Sequence, residues 1–430
     1  MSFMKKLIIP SALALSALLT AGCGTRETVE SKPIVNPPVP TQAKTPVANI
    51  AKVSAEKNSY AEVAPHLDLG GQFYLYLSTE QLIPRIEEML KLYGEIGIQS
   101  VRSTGGSTKE VELGMKIARQ FLLDSGLRDI SGFGASSFAL EKGFYRNRGI
   151  LHHYPDRGQG GFWQLLGGKV HEQGVLKLLP TSTALVSHGD LDALRIYDWF
   201  KKIVKENGDA PWAVEINKSV DQAEKMFGLE KTLRSYGGEV GLAITLHPER
   251  TISLPGGIKL PEPGLALFIK TKDDSLQKLL ASTTAAFEPK TEKVGATTIT
   301  YHDIPLPETV PMKVSASFFQ ADDYLVLTSS VELAKEILAV QAGGKGVAST
   351  AEFQKLAKDM DLKGNQIHFV SRRVSETMVT IQKMAMASLP DDASRKLMEK
   401  IFSSNEIVSG LVVIRCLPEG VLYDGRIDSR

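Results

Sequence analysis

Several groups of residues in this 430-residue chain have types and spacings that could do chemistry. Ser275-Leu276-Gln277-Lys278 places a serine and a lysine one turn apart on one helix face, the spacing by which an amine can activate a hydroxyl nucleophile. The companion Ser-x-Asn and Lys-Thr-Gly elements do not stand in usable positions, so the sequence favours ordinary helix-start chemistry there. His152-His153 with Asp156, and His188-Gly189-Asp190 with Asp192, carry metal-ligand residue types. Adjacent histidines on a strand point to opposite faces, so only one of His152 and His153 can join a given site. No His-Glu-x-x-His or cysteine pair supplies a core, and no metal ligand, catalytic residue or cofactor is assigned from sequence. Asp190 is read instead as the N-cap of the helix that follows it.

Two glycine-rich runs could cradle a phosphate. Ser103-Thr104-Gly105-Gly106-Ser107-Thr108-Lys109 precedes a helix but lacks the Gly-x-x-x-x-Gly-Lys spacing, and reads as a flexible loop capping the Glu110 helix. Arg157-Gly158-Gln159-Gly160-Gly161 follows no strand-to-helix switch and leads into Phe162-Trp163, which reads as a turn with aromatic packing. The chain has two cysteines. Cys416 closes the apolar run Leu411-Val412-Val413-Ile414-Arg415-Cys416 with no histidine near it, and reads as a packed structural thiol.

The other cysteine lies in a different setting. Lys5-Lys6 opens an apolar stretch, Leu7 to Leu19, too short to span a bilayer, and Ala21-Gly22-Cys23 closes it. Residues 1–23 resemble a bacterial lipoprotein signal peptide, with Thr20 where that pattern has Leu, Val or Ile. The resemblance implies removal of residues 1–22, lipidation of Cys23, and a cell-envelope location held to the membrane by the N-terminal lipid. Gly24 rather than Asp after the cysteine implies the outer membrane over the inner. The alternative is a secreted soluble protein with an incidental cysteine. If Cys23 is acylated, Cys416 has no partner, and an exported chain without disulfides depends on its core.

The composition permits such a core: 43% of residues are hydrophobic. Lys and Arg number 50 against 49 Asp and Glu, which gives no basic field to attract nucleic acid. Nucleic-acid binding is accordingly excluded as an expectation.

The elements that must position these residues divide the chain as follows. Residues 23–58 carry Pro33, Pro37, Pro38, Pro40 and Pro46 without helix or strand periodicity, a tether of extended polyproline character. Three α+β modules are expected after it, at 59–175, 176–345 (with an insertion) and 346–430, each a strand, a helix and a hairpin. In the first, Gln72–Leu77 is the strand, Ser78 or Thr79 caps a helix to Tyr93, a helix at Val111–Leu123 follows, and Ser131–Tyr154 is a hairpin around Glu141-Lys142-Gly143. In the second, Thr183–His188 leads to a helix at Asp190–Lys205. Strands Val240–Leu246 and Leu265–Lys270 then flank a Pro/Gly-rich link, Pro248 to Pro263. In the third, Gln366–Val370 and a helix at Ser375–Ala387 precede the hairpin Ile407–Ile427. The insertion supplies a helix at Asp273–Ala286, a strand at Thr297–Tyr301, a hairpin turning at Ala321-Asp322-Asp323, and a helix at Val331–Val340.

This repetition predicts an α+β fold with mixed, mainly antiparallel sheets and helices on one face. Either duplication or the ordinary composition of an α+β chain would produce it. The layout from 178 on, entered through Leu179-Pro180-Thr181-Ser182-Thr183, loosely resembles DUF3352-like extracytoplasmic proteins, a likeness that implies no activity. The functional expectation is a lipid-anchored envelope protein of a non-enzymatic binding or structural kind. Its partner would be an envelope protein or an apolar ligand. The alternative is an envelope hydrolase whose site is assembled only by the fold.

Overall fold

The computed structural model describes residues 58–387 and 408–429, apart from residues 81, 209, 255–256 and 308–311. Cys23 and almost all of the tether lie outside the described residues. Within them, thirteen strands join in one sheet, and every pairing is antiparallel. They are β1 (Phe73–Ser78), β2 (Ile130–Glu141), β3 (Phe144–His153), β4 (Thr183–Asp190), β5 (Tyr236–Leu254) and β6 (Ile258–Thr271). There follow β7 (Lys290–Val294), β8 (Thr297–Ile304), β9 (Val314–Ala321), β10 (Tyr324–Thr328), β11 (Gln366–Val370), β12 (Ser409–Leu417) and β13 (Gly420–Asp428).

The spatial order is β1-β2-β3-β13-β12-β11-β4-β5-β6-β10-β9-β8-β7. Each strand–helix–hairpin triplet keeps its three strands adjacent, because the first strand pairs with the first arm of its own hairpin. The last triplet in the chain sits between the other two: β13 joins β3 and β11 joins β4. Local turn chemistry fixes the hairpins. Gly143 takes φ 72° between β2 and β3, and Asp322 takes φ 49° between β9 and β10, a left-handed position that Asp tolerates.

Eleven helices are described: α1 (Tyr60–Val63), α2 (Leu82–Ser103), α3 (Lys109–Ser125), α4 (Gly161–Leu165), α5 (Ala193–Glu206) and α6 (Pro211–Phe227). The remainder are α7 (Leu229–Ser235), α8 (Ser275–Thr284), α9 (Val331–Gln341), α10 (Ala351–Ala357) and α11 (Arg372–Ala387). None is long and apolar enough to cross a membrane.

Three local expectations are corrected. The first helix does not end near Tyr93 but continues to Ser103, because Gly94 and Gly97 inside it let α3 approach closely. A Cβ on Gly94 would stand 2.6 Å from Met115 Cε. Thr79 does not cap that helix; its hydroxyl donates to the Ile130 carbonyl across the sheet end. The Pro248–Pro263 segment is a continuation of the β5–β6 ribbon to the pair Leu254 and Ile258, with a register shift between His247 and Thr251. Proline is tolerated on a sheet edge, and β10 pairs with β6 only from Ala266 to Lys270, so Pro261 and Pro263 lie where β6 has no second neighbour.

The pleat sends alternate residues to opposite faces, and the two faces differ in depth of burial. One packs against α9, α10 and the segment at Val175–Leu179 to form the main core. Phe268, Phe319, Val326, Ile367, Leu411 and Val413 are fully buried there. The other face carries the register row Phe73, Ser137, Asn147, Gly425, Val412, His368, Ser187, Leu242, Leu267, Leu327 and Phe318, each opposite the next on eleven adjacent strands. The flanking rows add Leu75, Ile414, Tyr423, Ile427, Val370, Leu185, Ile244, Leu265, Val240 and Ile269. No Asp, Glu, Lys or Arg stands in these positions. Most of the apolar side chains among them are only half-buried, and Phe73, Leu75 and Leu265 are exposed.

Candidate functional site

At one end of the core face, polar side chains from six segments converge. Asp190 ends β4 and Glu239 lies near the start of β5, and the register sets them directly opposite each other. Like charges in that relation repel, so the pair persists only with positive partners. Asp190 Oδ1 lies 2.8 Å from His171 Nε2, and its Oδ2 accepts from Asn365 Nδ2 at 2.9 Å. Glu239 Oε1 accepts from Lys270 of β6 at 2.5 Å, and its Oε2 accepts from the Tyr324 hydroxyl of β10 at 2.5 Å. His188, two residues before Asp190 on the same face, places Nε2 3.5 Å from Glu239 Oε2.

Backbone geometry brings the overlying loop down onto these groups. Gly167 has φ 96°, and a Cβ there would lie 1.9 Å from Asp190 Oδ2, so the chain passes where only glycine fits. His171 is held by a two-way backbone bridge to Gly364. Asn365, fully buried, donates to the Lys169 carbonyl and to Asp190, and accepts from the Cys416 N–H. Cys416 itself donates from Sγ to the Leu166 carbonyl; burial and the nearby Asp190 charge push its thiol up to about 12. That is a structural thiol, as the sequence indicates.

The protonation pattern follows from the partners. Burial opposes a charged His171, but its bonds to the Glu172 carbonyl and to Asp190 outweigh that and raise its pKa. Burial raises Asp190 despite the bonds from Asn365 and His171. Burial also works against a charged Glu239, yet Lys270 and Tyr324 bring it below the usual carboxylate value. Burial drives His188 down to about 4, against the pull of Glu239, so its ring is neutral at pH 7. His188 Nδ1 faces the Gln173 Oε1 acceptor at 3.4 Å, which leaves Nε2 as a buried lone pair without a hydrogen bond. The Tyr236 hydroxyl, also buried, makes no hydrogen bond either, and it feels the charges of Asp190 and Glu239.

Asp190 is therefore not a helix cap. Asp192 takes that role, its carboxylate accepting from the Arg195 N–H at the start of α5. Of the sequence candidates, His188 and Asp190 enter the cluster, whereas His171, Glu239, Lys270, Tyr324 and Asn365 were not singled out. Only the pairing register and the overlying loop bring them in.

The other candidates disperse. His152 Nδ1 meets the Ser131 hydroxyl at 2.7 Å, with both residues buried, while His153 packs edge-on to Trp163. Lys278 pairs with Asp274 on an exposed helix start rather than activating Ser275. Lys109 opens α3, where the Thr108 hydroxyl bonds Glu112. The Arg157–Gly161 run borders an open cavity of about 530 Å³ that also presents Asp124, Arg128 and Asp129. Its Gly158 N–H is already given to Asp129, and Trp163 donates to the Gly126 carbonyl, in keeping with a packed turn.

On the uncharged sheet face, one polar pair stands out. Ser187 of β4 and His368 of β11 are direct cross-strand partners, with Oγ 3.0 Å from Nδ1. Burial lowers His368 to about 4, and Gln366 Oε1 lies 3.3 Å from its Nε2.

No family model matches the chain, and no curated protein or solved structure matches it.

Proposed function

We propose that this chain is a lipid-anchored cell-envelope protein, tethered to the outer membrane through Cys23, that binds acyl-chain or similarly apolar ligands rather than catalysing a reaction. The observation that carries this reading is the uncharged sheet face: three register rows without a single ionised side chain, largely aliphatic and half-open. Such a surface offers nothing to a charged peptide or nucleic acid. Each aliphatic or aromatic side chain taken fully out of water contributes roughly 1.5–3 kcal/mol. Helix α2 adds an apolar stripe of its own, with Met89, Leu92, Tyr93 and Ile96 all exposed at helical spacing. In this reading the crossover helices lie over the open face as its cover, and the three strand–helix–hairpin units are repeats of one ancestral module.

Two measurements test it. Solvent extraction and mass spectrometry of the purified protein should return a stoichiometric apolar molecule; a clean extract, or a copurifying protein in its place, counts against the ligand assignment. Metabolic labelling with a fatty acid should mark the wild-type chain but not Cys23→Ser, and labelling of neither removes the anchor.

The alternative, an envelope hydrolase, draws on Ser187 and His368: a neutral imidazole within hydrogen-bond reach of a hydroxyl. A fluorophosphonate probe that labels Ser187, with loss of labelling in His368→Ala, would favour that reading over simple binding.

A further inference from the structure

We propose that His171, Asp190 and Glu239 form a binding site for a divalent transition-metal cation, with zinc as its natural probe. Their ligand atoms all lie within 4.8 Å of one another and come from three separate parts of the chain: the loop after α4, the end of β4 and the start of β5. One imidazole and two carboxylates form a donor set suited to zinc and its neighbours.

Hydrogen-bond directions supply the independent argument. His171 Nδ1 faces the Glu172 carbonyl and its Nε2 faces Asp190 Oδ1, each at 2.8 Å, so the ring donates from both nitrogens when no cation is bound, and a cation that takes the place of the Nε2 proton leaves the Nδ1–H form. This is the carbonyl-oriented tautomer that metal-ligating histidines adopt. His188 repeats the pattern: its Nδ1 faces Gln173 Oε1, and its Nε2, on a side chain with no solvent exposure, meets Glu239 Oε2 at 3.5 Å with no hydrogen bond. Two imidazole nitrogens thus face carboxylate oxygens, and the two carboxylates face each other. A cation among them satisfies these contacts together. A tetrahedral ion with bonds of ~2.1 Å sets its donors roughly 3.4 Å apart, within the span of this group.

The surroundings fit an orienting role. Lys270 and Tyr324 hold Glu239 in place, Asn365 holds Asp190, and the bridge to Gly364 holds the backbone of His171. His171 is the most accessible of the three ligands, at 33% side-chain exposure against 11% for Asp190, which puts the entry route on its side. A bound ion would pin the loop carrying His171 to the ends of β4 and β5.

The test uses the untagged full chain with cobalt and zinc as probes. Titration with Co²⁺ should develop visible d–d absorption that saturates at one equivalent, and Zn²⁺ should displace it. His171→Ala removes a ligand from the rim and should weaken Zn²⁺ binding by more than about tenfold while circular dichroism stays that of the wild type; Asp190→Asn should do the same. His302→Ala, a strand histidine outside the cluster, should bind as the wild type does. Zn²⁺ should also raise the thermal midpoint of the wild type but not of His171→Ala. Absence of a cobalt spectrum and of zinc binding in the folded wild type overturns the proposal, as does zinc binding unchanged in His171→Ala. Both outcomes are independent of whether an apolar molecule is extracted from the sheet face.

Discussion

Asp190 and Glu239 face each other directly across β4 and β5, two carboxylates on the core side of the sheet with side chains 11% and 7% exposed. Everything around them serves to keep that pair from flying apart. His171 and Asn365 attend one carboxylate, and Lys270 and Tyr324 the other. The Glu239 contacts reach across three consecutive strands, β5, β6 and β10, and so tie the central ribbon to the β9–β10 hairpin.

Tyr324→Phe should test the strength of that tie. It removes one hydrogen bond to an ionised acceptor without changing the shape of the core, and such bonds contribute about 1.5–3 kcal/mol. Urea unfolding should show a lower midpoint at unchanged slope. A midpoint equal to the wild type would mean that the phenol only fills space.

Lowering the pH should destabilise the fold between about 6.5 and 4. His188 has a folded pKa near 4, below its unfolded value, so the unfolded chain takes up the proton first and stability falls as pH drops through this window. The size is roughly 3 kcal/mol at most for this one ring. His368 acts in the same direction. His171 has a raised value and acts oppositely: its contribution is complete below pH 6.5 and fades as pH rises through the folded value. Midpoints measured from pH 4 to 8 should therefore be flatter on the acid side in His188→Gln.

Neighbouring valines on β12 should respond in opposite ways to the same change. Val413 is fully buried in the core, and Val412 points to the half-open face. Val413→Lys places an unpaired charge in the core and should prevent folding, judged by circular dichroism. Val412→Lys should fold, with a midpoint within about 1 kcal/mol of the wild type, and should lose the apolar ligand. If both fold equally well, the difference between the two faces is wrong.

Glycine replacements separate close approach from simple flexibility. Gly160 sits against Gly126, and a Cβ on Gly160 would lie 2.2 Å from Gly126 Cα. Gly160→Ala should cost more than about 2 kcal/mol, since backbone must shift to admit the methyl. Gly114 is inside α3 with open space around it, so Gly114→Ala should stabilise by about 0.5–1 kcal/mol. Thermal midpoints moving in opposite directions are the expected result.

The sequence by itself determined the pieces whose causes are local. Alternation and turn residues place β1, β4, β11 and the hairpins around Gly143, Asp322 and Gly420, and helical periodicity places α3, α5, α9 and α11 near their observed bounds. Propensity could not show that Gly94 and Gly97 are contact points within one long helix, nor that prolines 261 and 263 belong to a strand, because both depend on what lies alongside. Nor did it show α6. The tertiary structure alone decided that the last triplet of strands sits between the first two, and that register rows with no charged side chain run across eleven of the strands. It also decided that His171 and Glu239, distant in sequence, meet at Asp190. Strand order and register arise from pairing between remote segments, and ligand sets built on them leave no local spacing in the chain to be read.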